Sequence, residues 1–375
     1  MKRISAFFIV LFFFILPVSA EETLPEEYFD FSNSIPEDVA SMLPEEFFFG
    51  EIDELSESLL DVVSPKYIIG VILNLLSGGL GGAFSLLALL VGMLALASLL
   101  SAFTEDLISG ELKSAVNYAI SICISGVVVG LQVGRIGAVR DFFQRLVVIM
   151  NSLIPIMGAL YISGGNTLGA ALASSSLLVQ INLIELGVSS LVIPSISACL
   201  AMTLADSLVP GEPRLAGISA MIKRTLAFVF GLCSTLLMAT LSAQSILASA
   251  SDSAGARAVK FLAGNMIPVV GGTVGDTLRT LAASVKLMRS TVGVAGIVAL
   301  SFLLLPTLIE LFLTRFAFNT AAAVGEMLGC KSAVRLYREI ASLYGYVIAA
   351  AVLSSVLCAF ALTLFALGQV ALGGG

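Results

Sequence analysis

The chain of 375 residues contains no histidine and no tryptophan. Without histidine it lacks the commonest general base and metal ligand near neutral pH. Charged residues are scarce, at 12% against about 25% in soluble domains. The five cysteines, Cys123, Cys199, Cys233, Cys330 and Cys358, are scattered and form no C-x-x-C pair. Most lie in apolar runs, where thiols are expected to pack as small hydrophobes. A basic stripe with interleaved aromatics is also missing, which argues against nucleic acid as a partner. No P-loop, G-x-S-x-G, H-E-x-x-H or paired-acid motif stands in a credible setting. We therefore expect no catalytic residue, no cofactor, no metal site and no enzyme.

What fills the chain instead is apolar sequence, 58% of the residues. That composition predicts an all-α polytopic membrane protein, because helices satisfy their own backbone groups in lipid. Runs at 67–103, 115–134, 146–162, 177–208, 225–247, 261–275, 291–313 and 343–367 predict six to eight spanning helices. The glycines at 78, 79, 81 and 82 are expected to divide the first run, leaving 67–77 as an interfacial piece.

The N-terminus has its own grammar. Met1-Lys2-Arg3, an apolar stretch to Leu16 and the sequence Pro17-Val18-Ser19-Ala20 form the three parts of a signal peptide over residues 1–20. Cleavage is expected between Ala20 and Glu21, with an uncleaved anchor as the alternative. Either places residues 21–66 outside the cytoplasm. From Glu21 to Asp61 there are many acids and no Lys or Arg. Two copies of one hexapeptide stand out, Leu24-Pro-Glu-Glu-Tyr-Phe29 and Leu43-Pro-Glu-Glu-Phe-Phe48. Proline followed by acids is helix N-terminal chemistry. Short amphipathic helices follow as the expectation, with aromatics for docking onto the membrane portion or a partner.

One stretch organises the rest: R-A-V-K-F-L-A-G-N-M-I-P-V-V-G-G-T-V-G-D-T-L at residues 257–278. Its apolar part is short for a span and is interrupted by Pro268, Gly271 and Gly272. Such backbone survives at membrane depth only when buried in protein or lining a wet cavity. A second copy, N-S-L-I-P-I-M-G-A-L-Y-I-S-G-G-N-T-L, occupies residues 151–168. Asn151, Pro155 and Gly158 correspond to Asn265, Pro268 and Gly271, and Asn166 to Asp276. These are two broken or re-entrant Ile-Pro elements, the first being long enough to span. Further matches, Pro194 with Pro306 and Gly211-Glu212 with Gly325-Glu326, extend the likeness into an internal duplication. The segments read as 67–140, a first membrane hairpin, then repeats at 141–250 and 257–368. Depending on whether the Ile-Pro elements span, the repeats are inverted or parallel, both of which are transporter plans. The Lys and Arg residues are spread over successive loops and do not decide orientation.

Two carboxylates lie inside apolar runs, Glu185 and Glu310. Ionisable groups at such depth are costly and mark function by default. A proton or cation relay is one reading; helix-to-helix packing is the other, with Arg315 five residues after Glu310 as a local partner. The Gly293-x-x-Gly296 pair predicts close helix packing.

The chain resembles the stage III sporulation protein AE family, membrane proteins of endospore-forming bacteria. The likeness rests on the signal, the acidic pre-membrane segment and above all R-A-V-K-F-L-A-G-N-M-I-P-V-V-G-G-T at residues 257–273. It continues through the span opening at Thr291 and the Pro306 span. The resemblance implies a place in the mother-cell membrane around the forespore. It also implies work in a channel-like complex with the other proteins of the same operon and a forespore membrane partner. It assigns no catalytic residue. Two readings stand: a pore-forming or scaffold subunit of a transenvelope channel, or a secondary transporter using Glu185 and Glu310 near the midplane.

Overall fold

The computed structural model describes residues 24–49, 52–107, 110–163, 167–208, 217–232, 234–235, 238–239 and 271–367, with residues 271–284 as backbone only. The expected signal and its cleavage site at Ala20 and Glu21 lie outside the described residues, as do Asn265 and Pro268. No strand occurs among the described residues.

The acidic segment folds as four short helices: α1 Glu26–Asn33, α2 Glu37–Ala40, α3 Glu46–Phe49 and α4 Ile52–Val63. Pro25 and Pro36 stand at the N-caps of α1 and α2, each followed by two acids in the first turn. This is the expected use of proline and the positive helix end. The two hexapeptides perform matching tasks. Leu24 and Leu43 are buried at their starts, and Tyr28 and Phe47, the fifth residue of each, are fully buried. Their rings meet at 6.2 Å, and the Tyr28 hydroxyl donates to the Phe47 carbonyl at 3.0 Å. Burial pushes the Tyr28 phenol above its ordinary range.

The segment docks onto the long helices. Ser34 and Ser152 hydroxyls are 2.8 Å apart, Arg145 binds Asp38 at 2.7 Å, and Tyr67 donates to the Met42 carbonyl.

Those long helices are α5 Pro65–Leu107, α6 Gly110–Ser163, α7 Thr167–Gly187, α8 Ile193–Leu208, α9 Gly271–Met327 and α10 Lys331–Leu367. A π-helical turn, Val188–Val192, joins α7 to α8 just before Pro194. Helical residues 217–232 lie between α8 and α9 in sequence. α5 runs in the same direction as α9: Tyr67 meets Phe302, and Gly79 and Leu94 approach Leu313 and Gly325 in turn. α6 runs opposite to α9, with Arg135 at Thr314, Leu153 at Gly296 and Tyr161 at Arg289. α10 folds back on α9 through a tight turn. There Gly329 takes φ +74°, Cys330 N–H bonds the Gly325 carbonyl and Gly329 N–H bonds that of Glu326. This left-handed glycine cap satisfies the last carbonyls of α9. Burial raises the Cys330 thiol above its ordinary range.

Among the described residues five helical stretches are long and apolar enough to cross a membrane: Pro65–Thr104, Ala115–Ser163, Leu177–Asp206, Val285–Met327 and Lys331–Ala366. The count of six to eight took 115–134 and 146–162 separately, and the structure joins them in one helix. The expected span at 225–247 lies partly outside the described residues. The glycines at 78–82 do not divide α5 either. In an apolar medium a break would strand more backbone groups than it relieves, so helices run through glycine and proline alike. The same reason corrects the first Ile-Pro element. Pro155 sits inside unbroken α6, with Leu153, Ile156, Met157 and Leu160 buried on one face. That element has the form of a spanning helix, not a broken one. In the second copy Gly271, Gly272 and Asp276 already belong to helix α9.

Candidate functional site

Apolar helices in lipid gain little from hydrophobicity toward one another, so packing and polar contacts must hold them. Both are concentrated on α9. A Cβ added at Gly293 would lie 2.7 Å from that of Ala366 on α10. One added at Gly296 would lie 2.9 Å from Leu362 and 3.1 Å from Leu153. The Gly293-x-x-Gly296 pair thus seats α6 and α10 against α9, as its spacing predicts.

Arg289 lies one turn earlier and is 1% exposed. Its guanidinium carbon stands 4.0 Å from the Tyr161 ring centre and 5.2 Å from that of Phe365, and one nitrogen donates to the Phe365 carbonyl at 2.9 Å. Cation–π attraction is strongest where water is excluded. The contact gathers α6, α9 and α10 around one cation.

A second junction of the same three helices lies about six to eight turns away, on the turns bearing Gln132 and Arg135, Glu310 and Thr314, and Tyr344. Arg135 bonds the Thr314 hydroxyl. Tyr344 donates to the Gln132 amide oxygen at 2.5 Å, with Arg135 and Glu310 within electrostatic reach. A cavity of about 30 Å³ adjoins this group. Further from the axis, Lys223 pairs with Glu339 of α10 and lies near Ser342, fastening residues 217–232 to the bundle.

The expected site residues fall differently. Glu185 and Glu310 are both exposed on the outside of the chain. Arg315 is not paired with Glu310. Five residues place the two about 140° apart around the helix, and the Arg315 guanidinium instead lies against Gly345 of α10. Asn151 and Pro155 share the exposed face of α6, and Gly158 approaches Ser174 of α7. Near Glu185, Gln180 is fully buried and neither amide atom finds a hydrogen-bond partner. Asn182 is exposed and donates to the Leu178 carbonyl. No group of three or more potential metal ligands occurs among the described residues.

Sequence reasoning placed Arg135, Lys223 and Arg289 among interfaces and loops, and missed their partners. The available signal was periodicity. Gln132 and Arg135 at i, i+3, and Glu310 and Thr314 at i, i+4, each share one helix face.

Comparison with known proteins carries the identification further. The chain is similar to Stage III sporulation protein AE of Bacillus subtilis (strain 168), with 23% identity over 223 residues. That match covers 60% of this chain and 56% of the relative, so the two correspond over little more than half their lengths. No solved structure matches it. The sequence profile described as Stage III sporulation protein AE matches residues 51–368. With that match spanning the long helices and both polar junctions, the chain belongs to the stage III sporulation protein AE family.

Proposed function

We propose that this protein is a subunit of a channel-like complex crossing the membranes between mother cell and forespore. It would sit in the mother-cell membrane around the forespore, with its acidic segment extracytoplasmic. Its partners are the other proteins of the same sporulation operon and a forespore membrane protein. The observation that carries this reading is the outward exposure of Glu185 and Glu310. Intramembrane carboxylates nearly always face a bundle interior or a water-filled cavity. Here both side chains are exposed in the single chain, Glu310 at the edge of the Arg135 junction, so the interior they serve is one completed by other subunits. A secondary transporter would instead turn them toward a cavity enclosed by its own helices.

The internal duplication expected from the sequence would suit a subunit of this kind. In each half a long helix carrying a proline, Pro194 or Pro306, is followed by a second helix. In the first half the π-helical turn interrupts the long helix before Pro194, whereas α9 runs through Pro306.

Photoreactive residues at positions 185 and 310 in sporulating cells test the proposal. Covalent adducts with other proteins of the complex are expected. Glu185→Gln and Glu310→Gln should each leave spore yield near wild type, because a wet multi-chain lining needs polarity there, not proton exchange. Binding of a defined solute by the purified chain alone, lost in both Gln variants at normal abundance, would overturn it in favour of a transporter.

A further inference from the structure

The cavity beside the Arg135 junction is lined by α6, α8 and α10. Its polar lining side chains are Gln132, Arg135 and Tyr344; aliphatic residues such as Ile193, Leu200 and Val347 make the rest. The hydrogen bonds fix which polar atoms remain for a ligand. The Tyr344 hydroxyl donates its proton to Gln132 Oε1 at 2.5 Å. That bond sets the orientation of the amide. Gln132 Nε2 is left buried without a partner, on a residue only 3% exposed.

Gln132 Nε2 and the N–H groups of Arg135 are donors on residues that line the cavity. A water molecule would fit, since one occupies about 30 Å³ in the liquid. An anion needs donors alone, and it would add a counter-charge beside a cation held at membrane depth. The other charges nearby are Glu310, Arg315 and the Lys223–Glu339 pair, none of which lines the cavity.

We infer that this cavity is a binding site for one small monovalent anion of halide size, held by Gln132 Nε2 and the Arg135 guanidinium. The site does not depend on which larger assembly the protein joins.

Thermal unfolding of the purified full-length chain in detergent tests this, with sodium chloride exchanged for sodium gluconate at constant ionic strength. Gluconate is too large for the cavity. A saturable rise in Tm with chloride is expected, reproduced by bromide and absent in Gln132→Leu, which keeps the side-chain bulk but removes the donor. In parallel, the protein should broaden the chloride-35 NMR line, and bromide should relieve the broadening. Equal Tm values in chloride and gluconate, or an undiminished chloride response in Gln132→Leu, would overturn the proposal and leave the cavity to water. If the variant does not accumulate, the wild-type line width decides: no broadening, or broadening that bromide leaves unchanged, sinks the site.

Discussion

At the scale of single residues, the protein spends its polar groups on fastening. Arg289, Arg135 and Lys223 each tie two or more helices together, and Tyr28 does the same for the acidic segment. Tyr28 yields the sharpest pH prediction. Its folded phenol is held above the ordinary value of about 10, so from about pH 10 upward the unfolded segment loses a proton that the folded one keeps. Stability is full below that pH and falls as pH rises further. Limited proteolysis of the intact protein should therefore release residues 24–63 faster at pH 10.5 than at pH 8. Tyr28→Phe should lose about 1 kcal/mol at neutral pH, for the bond to Phe47, and should show a weaker alkaline dependence. An equal alkaline dependence in that variant would assign the effect to other groups. Sequence alone marked Glu310 as an intramembrane acid, since a charge in an apolar run is visible without coordinates. It could not mark Arg135, because three arginines at 135, 140 and 145 look like a membrane edge. Only the approach of Thr314 and Tyr344 from other helices reveals one of them as an organiser of the bundle.

At the scale of elements, helix type was legible throughout and helix boundaries were not. Apolar runs and the proline–acid starts specify helices locally, and α1 to α4 follow that rule closely. Breaks were expected at the glycines 78–82 and at the two Ile-Pro elements, of which the first, at Pro155, was also long enough to span. Those rules come from water, where an opened helix finds new partners; lipid offers none. The glycines of α5 and α9 then differ by surroundings, not by sequence. Nothing lies within 4 Å of a Cβ added at Gly81, whereas one at Gly293 would press on Ala366. Gly293→Ala should cost about 1–3 kcal/mol through overpacking and lower the Tm of the detergent-purified protein. Gly81→Ala should be neutral or slightly stabilising in the same assay. Equal behaviour of the two would mean that α9 and α10 do not pack as closely as described.

At the scale of the whole molecule, the acidic segment behaves as part of the bundle, seated on α6 through Ser34, Asp38 and Arg145. A segment folded in this way is expected to remain after its leader is removed. Intact-mass measurement of the membrane-extracted protein should give a chain starting at Glu21, and retention of residues 1–20 would add a membrane anchor. The lengths of α6 and α9, 54 and 57 residues, carry a consequence of another kind. Each is about 80 Å long, while the hydrocarbon layer is about 30 Å thick and helices rarely tilt beyond 40°. Even at that lean they would rise about 60 Å, so half or more of the bundle's height stands clear of the lipid tails. The protein is a post as much as a plug, and any second surface facing its membrane is held off, or met, at a distance written into the length of its helices.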